Sequence, residues 1–293
     1  MDPPPPPTAP QTQPPAQAPE HTTIAALLER YDGVLLDAYG VLVDAGGLLP
    51  GTAALFAELA RRATPFAIVT NDASRLPRTY AARFAAHGIA LAPEQVVTAG
   101  SLLPGYFRDR GLAGARTCVL GTDDSVAYVR DGGGVPVALA PGMAIDVLAV
   151  CDDSGTPFVE GVELAFSAVA RAIDAGRRPA LVLPNPDLIY PKGGAEYGFT
   201  AGSMALLIEA GLARRFPGRD LRFDHLGKPA PHLFAEARRR LGGGRMVMIG
   251  DQLETDIAGA RAAGIDAALL AGVSRWDPTA AIAPDYLLAT IVP

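Results

Sequence analysis

Short apolar runs alternate along this chain with longer stretches whose apolar positions recur every three or four residues. The first pattern marks buried strands and the second marks amphipathic helices. "TIAALLER" reads as a short helix and "GVLLDAYG" as a buried strand running into a turn. "TAALFAELARRAT" has helical spacing, "PFAIVTNDAS" is a second buried strand ending in polar residues, and "RTYAARFAAHGI" is a helix stopped at Gly88. Strand, helix, strand, helix is the pattern of a parallel sheet with helices on both faces. In such sheets ligands gather beyond the carboxyl ends of the strands. Asp37 and the pair Thr70-Asn71 both fall there.

The middle of the chain changes style. "ARTCVLG", "DVLAVC" and "PALVLPNPD" read as strands, with helices in "DSVAYVRDGG" and "GVELAFSAVARAIDAG". Leu164, Ala168 and Ile173 line one face of the second helix. Residues 116–198 therefore read as a separate α/β unit. After it the first style returns. "TAGSMALLIEAGLARRF" and "KPAPHLFAEARRRL" are helices, "RMVMIGDQLETDIAGARAAGI" is strand, acidic turn and helix, and "DAALLAGV" and "PDYLLATI" are late strands. The expected layout is a tail at 1–22, a core formed by 23–115 and 199–293, and an inserted unit at 116–198. The fold class is α/β, a doubly wound parallel-sheet core with an inserted α/β cap.

Composition narrows the function classes. The chain has 293 residues, 49% apolar and 19% charged, as in a folded globular protein. A net charge of -6 argues against a nucleic-acid partner, which calls for a basic footprint. No apolar run approaches the ~20 residues that span a bilayer, so no membrane partner is expected. The opening "MDPPPPPTAPQTQPPAQAPE" has neither a basic start nor an apolar segment and reads as a disordered tail, not a signal peptide. Cys118 and Cys151 match no metal or redox spacing and read as buried thiols in a reducing compartment. The expected location is the cytoplasm.

Three pieces carry candidate chemistry. They are Asp37, the Thr70-Asn71 pair, and "GDQLETD" with Asp251, Glu254 and Asp256, preceded in the chain by Lys228 in "GKP". Carboxylates crowded at strand ends repel one another and become tolerable around a divalent cation. Oxygen-rich sites suit Mg²⁺. A lysine holds an anionic substrate or intermediate, and a hydroxyl and an amide at Thr70 and Asn71 can donate to phosphoryl oxygens. Together they describe phosphoryl transfer to an aspartate nucleophile. Taken singly each is weak: Asp at a strand end is often a turn residue, and Thr255 can cap a helix starting at Asp256.

The ordered set resembles the four motifs of the haloacid dehalogenase superfamily: "DAYGVL", "VTNDAS", "GKP" and "GDQLETDI". The position of the inserted unit resembles the class IIA branch, whose cap lies between the second and third motifs. "LLPGTAALFAEL", "PNPDLIYP" and the closing "PDYLLATI" agree with it. The resemblance implies an Mg²⁺-dependent phosphatase of small phosphorylated metabolites. In it Asp37 would become an aspartyl-phosphate, Thr70 and Asn71 would orient the phosphoryl group, and Lys228 would stabilise charge. Mg²⁺ would be held by Asp37, the backbone carbonyl of Tyr39, Asp251 and Asp256. Asn185 and Asp187 would close the cap near the substrate. The resemblance also makes the cap a candidate surface for homo-oligomers.

One position departs. The phosphatases carry a second aspartate two residues after the nucleophile, which protonates the leaving group and then activates water; Tyr39 stands there. A phenol with its ordinary pKa near ~10 is a poor base at neutral pH. Asp72 or Asp44 is a candidate to lend the missing carboxylate. Two other readings stay open: a phosphometabolite-binding protein with little or no turnover, and a 2-haloacid dehalogenase, which "DAYG" resembles but the acidic fourth motif does not.

Overall fold

A computed structural model describes residues 18–44, 46–193, 196–270 and 274–293. Its larger sheet has seven strands, all parallel, in the order Glu20–Thr22, Tyr286–Leu288, Asp266–Leu270, Met246–Gly250, Gly33–Leu36, Phe66–Thr70, Val96–Thr98. From Gly33–Leu36 the chain winds outward on one side through 66–70 and 96–98, and on the other through 246–250, 266–270 and 286–288. The order therefore reverses between Gly33–Leu36 and Met246–Gly250, where a crevice opens at the strands' carboxyl ends.

The central strands are apolar on both faces because both faces are covered. Val34 and Leu36 pack with Leu27, Leu55, Leu59 and Phe84 of the helices on one side. Leu35 points the other way and packs with Phe234, Ala237, Met248 and Ile257. A strand buried this way cannot slip by one residue without exchanging the two cores, which secures where Asp37 emerges.

The second sheet has five parallel strands, Asp224–His225, Ala180–Leu183, Val147–Val150, Arg116–Leu120 and Val135–Val137. Phe158–Asp174 buries Val162, Ala165, Ala168, Val169, Ala172 and Ile173 against it, the three-and-four spacing of one helix face. Leu164, expected on that face, is only half-buried.

Packing moves the unit boundaries. The helix Ala201–Arg215, which the sequence assigns to the first unit, packs Met204, Ala205, Ile208 and Leu212 against the second sheet. Asp224–His225 pairs with Ala180–Leu183, so the second unit runs past residue 198 to about 225. On the other face Leu103 and Phe107 of the helix Leu103–Asp109, ahead of residue 116, join Tyr128 and Val129 beneath the same sheet. The tail is also shorter than 1–22. Glu20–Thr22 forms the edge strand of the first sheet, and Glu20 pairs with Arg30 at 2.9 Å. The expected disorder of residues 1–17 lies outside the described residues. Among the described residues no helix is long and apolar enough to cross a membrane. Cys118 and Cys151 are free and buried.

Candidate active site

Asp37 leaves the central strand with its N–H bonded to the Ile249 carbonyl at 2.9 Å. The chain then turns sharply: the N–H groups of Leu42 and Val43 both bond to the Ala38 carbonyl at 2.9 Å. Gly40 sits in this turn at φ 92°, in the left-handed region that glycine enters without penalty. A Cβ there would lie 2.3 Å from Asp251 Oδ2, so this glycine also lets the fourth motif approach the first.

Lys228 is the hub. It is 2% exposed, so it is not the surface lysine that its type alone suggests. Its Nζ donates to Asp37 Oδ1 at 2.6 Å, to Asp256 Oδ1 at 2.6 Å and to the Val69 carbonyl at 3.2 Å. All three ammonium hydrogens thus have acceptors. Burial acts to lower the Lys228 pKa, but the Asp256 and Asp37 carboxylates override it and raise it, keeping the ammonium charged.

Asp37, Asp251 and Asp256 each bring a carboxylate oxygen within 4.8 Å of the others. Three carboxylates against one ammonium leave two negative charges in a buried place. Burial, then repulsion from Asp256, pushes Asp37 up to about 7 against the pull of Lys228. Burial, then Asp37 and Asp256, pushes Asp251 up to about 9. Asp251 Oδ1 is buried and has no hydrogen-bond partner. A buried acceptor left unpaired beside uncompensated negative charge is what a divalent cation would satisfy, and the all-oxygen donor set suits Mg²⁺. The residues present fit that ion.

Asp256 has a different part from Asp37 and Asp251. Its Oδ1 is held by Lys228, and its Oδ2 accepts the N–H groups of Asp251 and Gln252 at 3.2 Å each. It therefore shapes the loop that carries Asp251. Thr255, expected as a helix cap, lies inside the helical turn Leu253–Ile257, which Gln252 precedes. Glu254 is exposed and does not join the cluster.

Thr70 and Asn71 arrive from the neighbouring strand end. Asn71 is committed as a strut: its Oδ1 accepts the Lys228 N–H at 2.6 Å, and its Nδ2 donates to the Lys228 carbonyl at 3.1 Å and to Asp187 Oδ1 at 2.9 Å. Both amide hydrogens are used, so its side chain is not free to donate to phosphoryl oxygens, the role that the sequence suggested for it. Gly227 makes room for it, since a Cβ there would lie 2.4 Å from the Pro184 carbonyl and 2.6 Å from Asn71 Oδ1. Asp187 is the second unit's contact with this strut, and burial, opposed by Asn71, raises its pKa. Asn185 faces its own loop, where its Oδ1 accepts the Asp187 N–H at 3.1 Å.

Asp72 is not a spare carboxylate. Its Oδ1 accepts Ser74 N–H at 2.5 Å and Ser74 Oγ at 2.7 Å; its Oδ2 accepts Arg75 Nη1 and Tyr80 OH, each at 2.8 Å. Asp44 Oδ1 accepts the Gly46 N–H at 2.7 Å, a local turn. Tyr39 is half-buried and bridges to Val43. The sequence reading took Gly40 only as a turn residue and gave Gly227 and Gly250 no role, missing the close approach that all three allow; a Cβ on Gly250 would lie 2.3 Å from Asp256 Cβ.

Comparison with known proteins agrees with this geometry. The profile of haloacid dehalogenase-like hydrolases matches residues 34–134, and a related HAD-hydrolase-like profile matches 225–292. The chain belongs to the haloacid dehalogenase-like hydrolases. It is similar to dihydroxyacetone phosphatase of Corynebacterium glutamicum, 26% identical over 82% of this chain and 81% of that one. It is also similar to human chronophin, 28% identical over 86% of this chain and 85% of that one. Among solved structures, a possible sugar phosphatase from Cytophaga hutchinsonii superposes with a TM-score of 0.81 at 26% identity, covering 94% of this chain and 99% of that one. Glycerol phosphate phosphatase of Mycobacterium tuberculosis in complex with magnesium gives 0.73 at 27% identity, over 92% and 76%.

Proposed function

We propose that this chain is an Mg²⁺-dependent class IIA phosphatase of small phosphorylated metabolites that works through an aspartyl-phosphate on Asp37. The observation that carries the reading is the Lys228 ammonium shared between Asp37 and Asp256 beside the unpartnered Asp251 Oδ1. A structural ion pair does not require two excess buried carboxylates, whereas phosphoryl transfer does. Asp37, Asp251 and the Tyr39 carbonyl would hold Mg²⁺, with Asp256 supporting. The bound cation would supply neutralising charge for the phosphoryl oxygens.

The chain's own groups do the rest. Asp37 attacks phosphorus, and Lys228 steadies the charge that the nucleophile and the phosphoryl oxygens share. Thr70, a residue 4% exposed on the strand beside that of Asp37, orients the phosphoryl group through its hydroxyl. Asn71 holds the Lys228 backbone, and Asp187 and the loop shaped by Asn185 close the site from the second unit. Names of the relatives, phosphatases of dihydroxyacetone, glycerol and sugar phosphates, support a small phosphate monoester as the substrate class. An acid quench during turnover, followed by peptide mass spectrometry, should find one phosphoryl group on Asp37. Its absence under conditions of measured phosphate release would exclude the aspartyl-phosphate route.

A catalytically weak, phosphometabolite-binding protein is the second reading, favoured by Tyr39 alone. Mg²⁺ and phosphate binding without phosphate release would select it. The two buried free thiols support a cytoplasmic setting. Exposed Val159, Tyr197 and Phe199 on the second unit support self-association there, which sedimentation velocity tests.

A further inference from the structure

The position that should supply a proton to the departing group holds a phenol, Tyr39, in place of a carboxylic acid. Each carboxylate near it already accepts a hydrogen bond: Asp72 on both oxygens, from Ser74, Arg75 and Tyr80; Asp44 on one, from the Gly46 N–H; and Asp187 on one, from the Asn71 amide. An ester whose leaving group must be protonated in flight is therefore poorly served.

The mouth of the site suits another kind of leaving group. The strand Ile189–Gly193 of the second unit packs against Val43–Asp44, next to the turn that carries Tyr39. It brings Tyr190 and Lys192, whose Nζ stands 5.9 Å from the Tyr190 ring centroid. Gly198 seats both: a Cβ there would lie 2.5 Å from the Tyr190 ring and 2.7 Å from Lys192 Cε. Tyr39 and Tyr190, both half-buried, thus present aromatic rings from opposite units. The charges in electrostatic reach of the Tyr39 hydroxyl are Asp44 against Arg83 and Arg75, and Arg75 is partly offset by its Asp72 partner. Arg83 and Lys192 have no ion-pair partner among the described residues. An oxygen leaving with negative charge beside Tyr39 would meet its hydroxyl donor and the unpaired Arg83.

Building on the phosphatase reading, we propose that this site selects phosphate monoesters whose leaving group is planar and acidic enough to depart as an anion, a phenol or an enol. In the step, the Asp37 oxygen–phosphorus bond forms and the bond from phosphorus to the leaving oxygen breaks. The electron pair goes to that oxygen, which accepts a hydrogen bond from Tyr39 and takes its proton from water after release. Water then adds to phosphorus, Asp37 departs as carboxylate, and the water's proton passes to phosphate or solvent.

The test is kcat/KM, which reports the first step, across substituted phenyl phosphates and alkyl phosphates, for wild type, Tyr39→Phe and Tyr39→Asp. In wild type, kcat/KM should fall steadily as leaving-group pKa rises, with alkyl esters trailing by the roughly 10²–10⁴ that proton donation is worth. Tyr39→Phe should keep the slope and lower the whole series, and Tyr39→Asp should flatten it by restoring alkyl esters. A flat wild-type series would overturn this inference and leave the phosphatase reading standing. No hydrolysis of any ester by any of the three proteins would overturn both.

Discussion

Asn71 and Asp187 are joined by a 2.9 Å hydrogen bond between the two units, and the same Asn71 amide grips the backbone of Lys228. The second unit is thereby tied to the residue that holds the nucleophile. Asp187→Asn keeps an acceptor oxygen for Asn71, whereas Asp187→Ala removes it. A hydrogen bond to a charged group contributes about 1.5–3 kcal/mol. Asp187→Ala should therefore raise KM for a phosphate ester roughly tenfold or more, with Asp187→Asn close to wild type. Steady-state kinetics of the pair check this.

Removing Lys228 should be costly. Lys228→Met leaves Asp37 and Asp256 buried without their cation, and breaking a buried pair costs about 3–5 kcal/mol. Denaturant unfolding in EDTA should show a loss of that size. Added Mg²⁺ should recover part of it, because the ion binds the folded state alone.

Stability should depend on pH in a direction set by the raised carboxylates. Asp37 and Asp251 lie above their unfolded values, at about 7 and about 9. Groups raised on folding stabilise fully below the ordinary carboxylate range and lose that contribution as pH climbs through the folded values. The metal-free protein should thus melt lower at pH 9 than at pH 6, by roughly 2–4 °C for each kcal/mol lost. Mg²⁺ should stabilise more at pH 9 than at pH 6, since it displaces those protons. Thermal melts with EDTA or Mg²⁺ at both pH values test the sign.

Gly40→Ala should damage the cation site without touching a ligand. Its φ of 92° strains any L side chain, and the new Cβ would collide with Asp251 Oδ2. A strain of roughly 1–3 kcal/mol is expected, with Mg²⁺ affinity by titration calorimetry reduced at least tenfold.

Much of this molecule was legible beforehand because its central strands are continuous apolar runs. Gly33–Leu36, Phe66–Thr70 and Met246–Gly250 announce a parallel sheet, and each ends in the residue pair or acid that builds the site. Short polar strands were not legible. Glu20–Thr22 and Asp224–His225 have no alternation to read and exist through pairing with a neighbour. Ala201–Arg215 was recognisable as a helix, but an apolar stripe does not say which sheet it will cover. The same limit applied to side chains. Asp72 and Asp44 looked available in a linear chain, and only the fold shows both Asp72 oxygens bound and Asp44 turned to Gly46. Lys228 was read from its motif, while its burial and its three acceptors depend on strands far apart in sequence.

The most direct measurement is release of p-nitrophenol and phosphate from p-nitrophenyl phosphate in Mg²⁺, for wild type beside Asp37→Asn. The account predicts Mg²⁺-dependent release by wild type and none above background by Asp37→Asn, with the variant still folded. Equal release by the two proteins would contradict it.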